Sequence, residues 1–550
     1  MTTSILTYIW GIPLLAALAL VVVPRNFCVP IRAIAVLATF ISAVLAVRMF
    51  WDFGSASVDE YGYRFVQQFP WVDSLGISYH VGVDGVNVGL ILMGAIVAFA
   101  AALCSFEIKS REKEFYLLLL VMTGGILGAF ASLDLFFFYF LHELALIPTF
   151  IMIGVWGRGE KKNYATFQIT LYLSVGALIA LIGLIALYLQ SGAATFDIPK
   201  IIEHAKASPL SLGAQNFIFP LLLFGFGILV SLWPFHSWAP LGYGVAPSPT
   251  AMLHAGVLKK FGLYGLIRIA LPLLPGAFHA PILSPNVFAH FPFSLLPAQS
   301  WLLSLGWIDI LAILCVGNIL YIGWVAMRQR DLNLLIGNSS VAHMGFIFLG
   351  IASLSLVGVS GAVLIMVAHG FLAALTFALS GYIYQQTGTL QMSDLGGLCR
   401  KLPFIGTALL MAAMAGCGLP GFANFVGEAT VFFGAWNSFP AITIMALWGA
   451  LVIGGVYMTR AIRSILHGPL PEKWNYLTDA YIWRKLPYAL LLVCLLIFGF
   501  WPRLLTDKIT PAAAKLLTGY MVQAVNSPSP SAGQLRVAAA GSQPPVIENQ

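Results

Sequence analysis

Two stretches in the middle of the chain decide how the rest is read. They are Pro234-Phe235-His236-Ser237-Trp238-Ala239-Pro240 and Ala255-Gly256-Val257-Leu258-Lys259-Lys260-Phe261-Gly262-Leu263-Tyr264-Gly265-Leu266-Ile267-Arg268. The first interrupts an apolar segment that runs from Asn216. A proline break in a membrane-spanning helix is tolerated only where protein or water covers the freed backbone groups. The second puts two lysines and an arginine inside an apolar segment. An ammonium group is costly in hydrocarbon, so a lysine at that depth marks a charge-handling site. Together the two stretches point to a polar path through a membrane.

Working outward, 59% of the 550 residues are hydrophobic and 9% charged, against about 25% charged in soluble domains. The chain is read as an all-α polytopic membrane protein. Apolar segments suited to spanning lie at 4–24, 30–50, 79–104, 114–132, 134–156, 164–190, 215–239, 248–272, 301–327, 332–353, 357–384, 404–436, 438–465 and 487–506, about 14 transmembrane helices. The net charge of +7 reflects basic loops on one face, not affinity for nucleic acid. Six cysteines stand singly, so neither iron–sulfur nor zinc ligation is expected. No glycine-rich nucleotide motif lies between a strand and a helix. The run Ile5 to Val23 lacks a basic region and a cleavage site, and is read as the first span, not a signal peptide.

Breakers suggest a duplication. Helix 7 breaks at Pro234 and Pro240, and helix 12 at Gly418-Leu419-Pro420-Gly421. Each is the fourth of five helices, and an odd-numbered unit repeated directly must be inverted. Paired broken helices point to a transport site at mid-membrane. The organisation is then N-terminal helices 1–3 (1–112), a first repeat (113–274, helices 4–8), a loop (275–300), a second repeat (301–466, helices 9–13), a C-terminal helix 14 region (467–525) and a disordered tail (526–550). The tail is rich in Pro, Ser, Gly and Gln. Basic residues concentrate in odd-numbered connections, among them Arg25, Arg32, Lys109, Arg111, Lys113, Arg158, Lys161 and Lys162. The positive-inside rule puts these loops in the cytoplasm and both termini on the opposite side.

Ionisable residues inside the spans are the candidate site. Glu143 lies in Leu141-His142-Glu143-Leu144. It is either a group that takes up and releases protons or a structural carboxyl paired with a neighbouring helix. Lys260 is read as functional, and Lys259 as a long side chain reaching a polar surface. Arg268 is nearer its span end, where an interfacial role is expected. His254 is either a satisfied polar histidine or part of the path. His142 points to a different helix face from Glu143, where it packs or hydrogen-bonds. His343 and His369 lie mid-span on consecutive helices, and Glu428 follows the break in helix 12. Chains of Glu, Lys and His in membranes mark proton relays. Asp84, Asp134 and Asp309 lie near span ends and are read as caps.

From about residue 78 to 465 the chain resembles the subunit M (chain 4) family of the proton-pumping NADH:quinone oxidoreductase, respiratory complex I. That family belongs to a group shared with Mrp-type cation/proton antiporter subunits. The resemblance rests on Tyr79-His80-Val81-Gly82-Val83-Asp84-Gly85, on the two stretches above, on Ala246-Pro247-Ser248-Pro249-Thr250-Ala251, and on Ser339-Ser340-Val341-Ala342-His343-Met344-Gly345. Gly418-Leu419-Pro420-Gly421-Phe422-Ala423-Asn424-Phe425-Val426-Gly427-Glu428 is its most specific block. The resemblance implies fourteen helices, two inverted five-helix repeats and a relay of Glu143, Lys260, His343, His369 and Glu428. It also implies no redox cofactor in this chain, with NADH, FMN, iron–sulfur clusters and quinone in partner membrane-arm and peripheral subunits. A bacterial inner membrane is the expected location.

One position departs from the family. Where it usually carries a lysine, five residues before Pro234, this chain has Leu229. That lysine pairs with the helix-5 glutamate in the family, so Glu143 lacks its expected counter-ion. His142, His236 or Lys259 is a candidate replacement. The other readings are an Mrp-type antiporter subunit, a hydrogenase-associated membrane subunit, or a copy that keeps the fold without pumping.

Overall fold

A computed structural model describes residues 4–280 and 305–526. The loop at 275–300 and the tail at 526–550 therefore lie largely outside the described residues, as do the first residues of the ninth predicted span. Among the described residues, twelve helices are long and apolar enough to cross a membrane. The early ones are α1 (Ile5–Val22), α2 (Cys28–Asp52), α3 (Val88–Cys104), α4 (Glu112–Ala131), α5 (Leu135–Trp156), α6 (Lys162–Ser191) and, after a short amphipathic α7 (Ile198–Ala207), α8 (Leu212–Val230). The later ones include Trp307–Arg328, Leu332–Ala352, Leu356–Thr387, Pro440–Leu466 and Ile482–Phe500. Two predicted spans are built of shorter pieces. Residues 248–273 alternate α and π winding. The twelfth predicted span is split into Pro403–Gly416 and Ala423–Trp436.

The molecule is not all-α. The third predicted span was expected from residue 79, but Ile77–Val83 (β2) is a strand, paired antiparallel with Arg64–Val72 (β1). Helix α3 starts only at Val88. Hydropathy cannot separate a short buried strand from the helix that follows it, so the two merged into one apolar run. The predicted last span, 487–506, is also divided. Its helix ends at Phe500, and a second helix, Arg503–Asn526, follows Pro502. A Cβ added at Gly85 would collide with the Lys508 backbone, so this second helix lies directly against the turn after β2.

Outward faces are apolar. On α6 the residues Phe167, Leu171, Val175, Leu178, Ile182, Ile185 and Leu189 are exposed at the three-to-four-residue spacing of one helical stripe. The inner helices Leu332–Ala352 and Leu356–Thr387 are almost wholly buried. A two-hydrogen-bond clasp occurs twice. Leu135 N–H donates to the Phe196 carbonyl and Ile198 N–H to the Leu133 carbonyl, both 2.8 Å. Likewise Leu332 N–H donates to the Leu390 carbonyl and Met392 N–H to the Arg330 carbonyl, both 2.9 Å. In each clasp an aspartate, Asp134 or Asp331, caps the helix that begins there by accepting backbone N–H bonds.

Candidate functional site

The lysine-bearing run, residues 248–273, passes through the interior, and its winding sets where the lysines point. His254–Leu258 is a π-helical turn. Lys259 N–H reaches back five residues to the His254 carbonyl at 3.0 Å. The Ala255 carbonyl thus does not receive the Lys259 N–H that an α-helix would supply. The Lys260 ammonium donates to it instead. Such π-bulges inside α-helices often accompany functional sites.

Beyond Lys260 the polar groups form a line. Lys260 Nζ donates to His369 Nδ1 at 2.9 Å. The His369 and His343 rings lie 5.3 Å apart between centroids. His343 Nδ1 donates to the Ser339 carbonyl at 2.7 Å, which leaves its Nε2 facing Glu428 Oε1 at 3.7 Å. All four side chains are buried. Glu428 sits in the second half of the split helix, just past Gly418 and Gly421, whose positive φ values of 66° and 100° let the chain turn sharply. A small cavity borders this end of the line, with His343, Glu428 and Tyr457 among its walls. Tyr457 hydrogen-bonds Ser339 at 3.0 Å. Tyr457 was not singled out from sequence, because a tyrosine in an apolar segment carries no distinctive spacing.

On the other side of Lys260 no such line forms. Glu143 is half-buried, with its side chain 28% exposed, and meets His142 Nδ1 at 3.3 Å. His142 itself is buried and stacks on Phe261, 3.9 Å between ring centroids and 16° between planes. Leu229 is buried near the end of α8. His236 lies in the break of the seventh predicted span, with Nδ1 3.2 Å from the Pro234 carbonyl. His254 is fully buried and bonds Tyr243 at 2.9 Å through Nδ1, while its Nε2 has no partner.

Three expectations need correction. Lys259 was expected to reach a polar surface. It is instead 1% exposed, its Nζ has no hydrogen-bond partner, and it lies 5.7 Å from the centre of the Tyr243 ring. Arg268 was expected at the membrane interface. It is fully buried and forms a two-pronged ion pair with Asp84, both contacts 2.6 Å, with Tyr63 and Tyr264 hydroxyls at 3.0 and 3.2 Å. Burial there requires a paired carboxylate. The pair is invisible in sequence because its members are 184 residues apart. Asp84 also accepts the N–H groups of Val86 and Asn87 in the turn before α3, whose N-cap position is Asn87, so it holds that turn and does not cap the helix. Asp134 caps α5, and Asp309 accepts the Gly306 N–H at the start of its helix. Among the described residues no group of three or more His, Cys, Asp and Glu side chains is arranged to hold a metal, and the six cysteines are free thiols.

Comparison with known proteins agrees with this architecture. The family described as NADH:quinone oxidoreductase/Mrp antiporter, transmembrane, matches residues 132–298 and 287–454. The chain is 32% identical over 518 residues to NAD(P)H-quinone oxidoreductase chain 4 1 of a Nostoc species, covering 91% of this chain and 89% of that one. It is 30% identical over 472 residues to NADH-quinone oxidoreductase subunit M of Rickettsia bellii, covering 85% and 88%. Among solved structures, a chain of respiratory complex I from Thermus thermophilus with bound NADH superposes with a TM-score of 0.80 at 26% identity, covering 94% of this chain and all of that one. A chain of the Mrp complex from a Dietzia species shares the fold, with a TM-score of 0.76 at 18% identity over 96% of this chain and 99% of that one. With its spanning helices, its broken helices and these relatives, the chain belongs to the NADH:quinone oxidoreductase/Mrp antiporter family of integral membrane proteins, in the chain 4 (subunit M) line.

Proposed function

We propose that this chain is a proton-translocating membrane-arm subunit of a complex I-like NADH:quinone oxidoreductase. The observation that carries the reading is the buried line from Lys260 through His369 and His343 to Glu428. Each member can hold or give up a proton. The Lys260 ammonium already donates to His369 Nδ1, so a proton passes along an existing hydrogen bond. A neutral imidazole then releases a proton from its other nitrogen, which is how histidine acts as a shuttle. His343 hands on to Glu428 across 3.7 Å, a gap that a small side-chain movement or one water closes. Moving a proton against the membrane potential costs about 2.3 kcal/mol per 100 mV. The line must therefore be gated by changes in charge pairing, with Glu143, outside the line on the other side of Lys260, as the gating carboxylate. Redox chemistry, and with it NADH, FMN, iron–sulfur clusters and quinone, belongs to partner subunits in this reading.

The same reading takes the twelve long helices and the two built of shorter pieces as fourteen spans in two inverted five-helix repeats. The paired clasps at Asp134 and Asp331 support it, since they join equivalent helices of the two units. It sets the protein in a bacterial inner membrane with both termini on the non-cytoplasmic side. A second reading, a copy that keeps the fold without pumping, is favoured by Leu229 and by the absence of a buried line on the Glu143 side. One measurement separates them: protons moved per electron by the assembled complex in vesicles, with Lys260→Ala and Glu428→Gln. A lower ratio with electron transfer retained supports translocation. An unchanged ratio in both variants leaves the scaffold reading.

A further inference from the structure

We propose that His142 is the switching counter-ion of Glu143, holding its carboxylate as an imidazolium and releasing it as a neutral imidazole. The inference rests on the translocation reading above and adds a residue to it. Glu143 has one ion-pair partner among the described residues, His142. The other buried cations nearby are committed elsewhere or turned away. Arg268 is held by Asp84, and Lys260 by His369 and the Ala255 carbonyl. Lys259 Nζ has no hydrogen-bond partner and lies over Tyr243.

The contact itself is unusual. Neighbouring residues on a helix point about 100° apart and do not ordinarily face each other. The carboxylate must fold back toward the imidazole to reach it. The imidazole is the fixed member, stacked on Phe261, which in turn stacks on Phe138 at 4.2 Å. Glu143, partly exposed, is the member free to swing. Phe261 directly follows Lys260 in the chain, so the His142 ring packs beside the turn that carries the start of the buried line.

No cation comes from α8. Helices α5, α6 and α8 are consecutive spans, so α5 and α8 run in the same direction. Phe138 of α5 meets Phe226 of α8 edge-on at 6.3 Å. About one helical turn further along each helix stand His142 and Leu229, at the same level. The titratable groups around this corner are Tyr139 on α5 and His254, Lys259 and Lys260 on the lysine run. The apolar middles of α4, α6 and α8 bring none. When the imidazolium gives the Nδ1 proton to Glu143 Oε1, both groups become neutral and the pair loses its charge attraction. When the proton returns, the pair closes.

The test uses the assembled complex with the full chain, reconstituted in vesicles, and reads protons moved per electron. His142→Phe keeps the stack on Phe261 and removes both nitrogens. It should remove this chain's share of the ratio, as Glu143→Gln should. Adding Leu229→Lys to His142→Phe should restore most of the ratio, because it returns a cation at the same level from α8. A purely structural His142 would show no such rescue. If His142→Phe does not assemble, His142→Gln is read in the same way, since it keeps a polar donor and carries no charge. The proposal is overturned if the histidine variants pump like the parent while Glu143→Gln does not, or if Leu229→Lys fails to rescue. If Glu143→Gln also pumps normally, the relay reading fails with it.

Discussion

The two halves of the membrane body share their backbone devices and differ in what they do with charge. Both have an aspartate-capped clasp between helices and a broken helix. From Lys260, near the end of the first half, a buried line runs into the second half through His369 and His343 to Glu428. In the first half the largest buried charge, Arg268, is locked to Asp84 by two short contacts and two tyrosine hydroxyls. The carboxylate Glu143 has one ion-pair partner among the described residues, the histidine beside it. The difference teaches that a shared scaffold does not dictate a shared charge path. The Asp84–Arg268 side fixes its ions as structure, and the line that leads from Lys260 into the second half leaves them in weaker contacts that can exchange protons.

The comparison can be broken most forcefully at Arg268. Arg268→Met leaves Asp84 buried without its partner, a loss of about 3–5 kcal/mol. Thermal unfolding of the detergent-solubilised complex should register it, with the double variant carrying Asp84→Asn less affected. A stable Arg268→Met protein would mean that the first half does not rely on this ion pair. Next in size, Lys260→Ala should cut proton translocation ~10²-fold while electron transfer persists. Lys259→Leu, which removes a buried ammonium that bonds nothing, should leave translocation near the parent level. Equal losses from the two lysine variants would erase the distinction between the bound and the unbound ammonium. Glu428→Gln sharpens the same line at its end. Gln can hydrogen-bond His343 but cannot accept the proton, so a roughly tenfold loss in coupled proton flux is expected, with assembly unchanged.

The smallest effect compares the clasps. Asp331→Ala removes an acceptor of the Leu334 N–H and should cost about 1 kcal/mol of stability. Asp134 accepts the N–H groups of Phe136, Phe137 and Ser78, so Asp134→Ala should cost more, toward about 2 kcal/mol. Denaturation midpoints of the two variants, measured side by side, test the ranking. A larger loss at Asp331 would reverse the expected order of the two clasps.

Much of the architecture was readable from hydropathy alone, because burying backbone in hydrocarbon requires helices of a fixed minimum length. The two breaks were readable as well, since proline and glycine leave local signatures. Where the sequence misled, it did so for a local reason. The apolar strand Ile77–Val83 merged with α3, and Pro502 divided what looked like one terminal span. The candidate residues could be nominated one by one, since any ionisable group in an apolar segment stands out. Their partners could not. The Arg268–Asp84 pair, the Lys260–His369 bond and the His343–Glu428 approach each join residues far apart in sequence. Spacing along the chain carries no record of such meetings. By itself, then, the sequence determined which charges enter the membrane. The packing of helices decided which of them are locked and which are linked, because only tertiary structure brings donors and acceptors from distant parts of the chain within bonding distance.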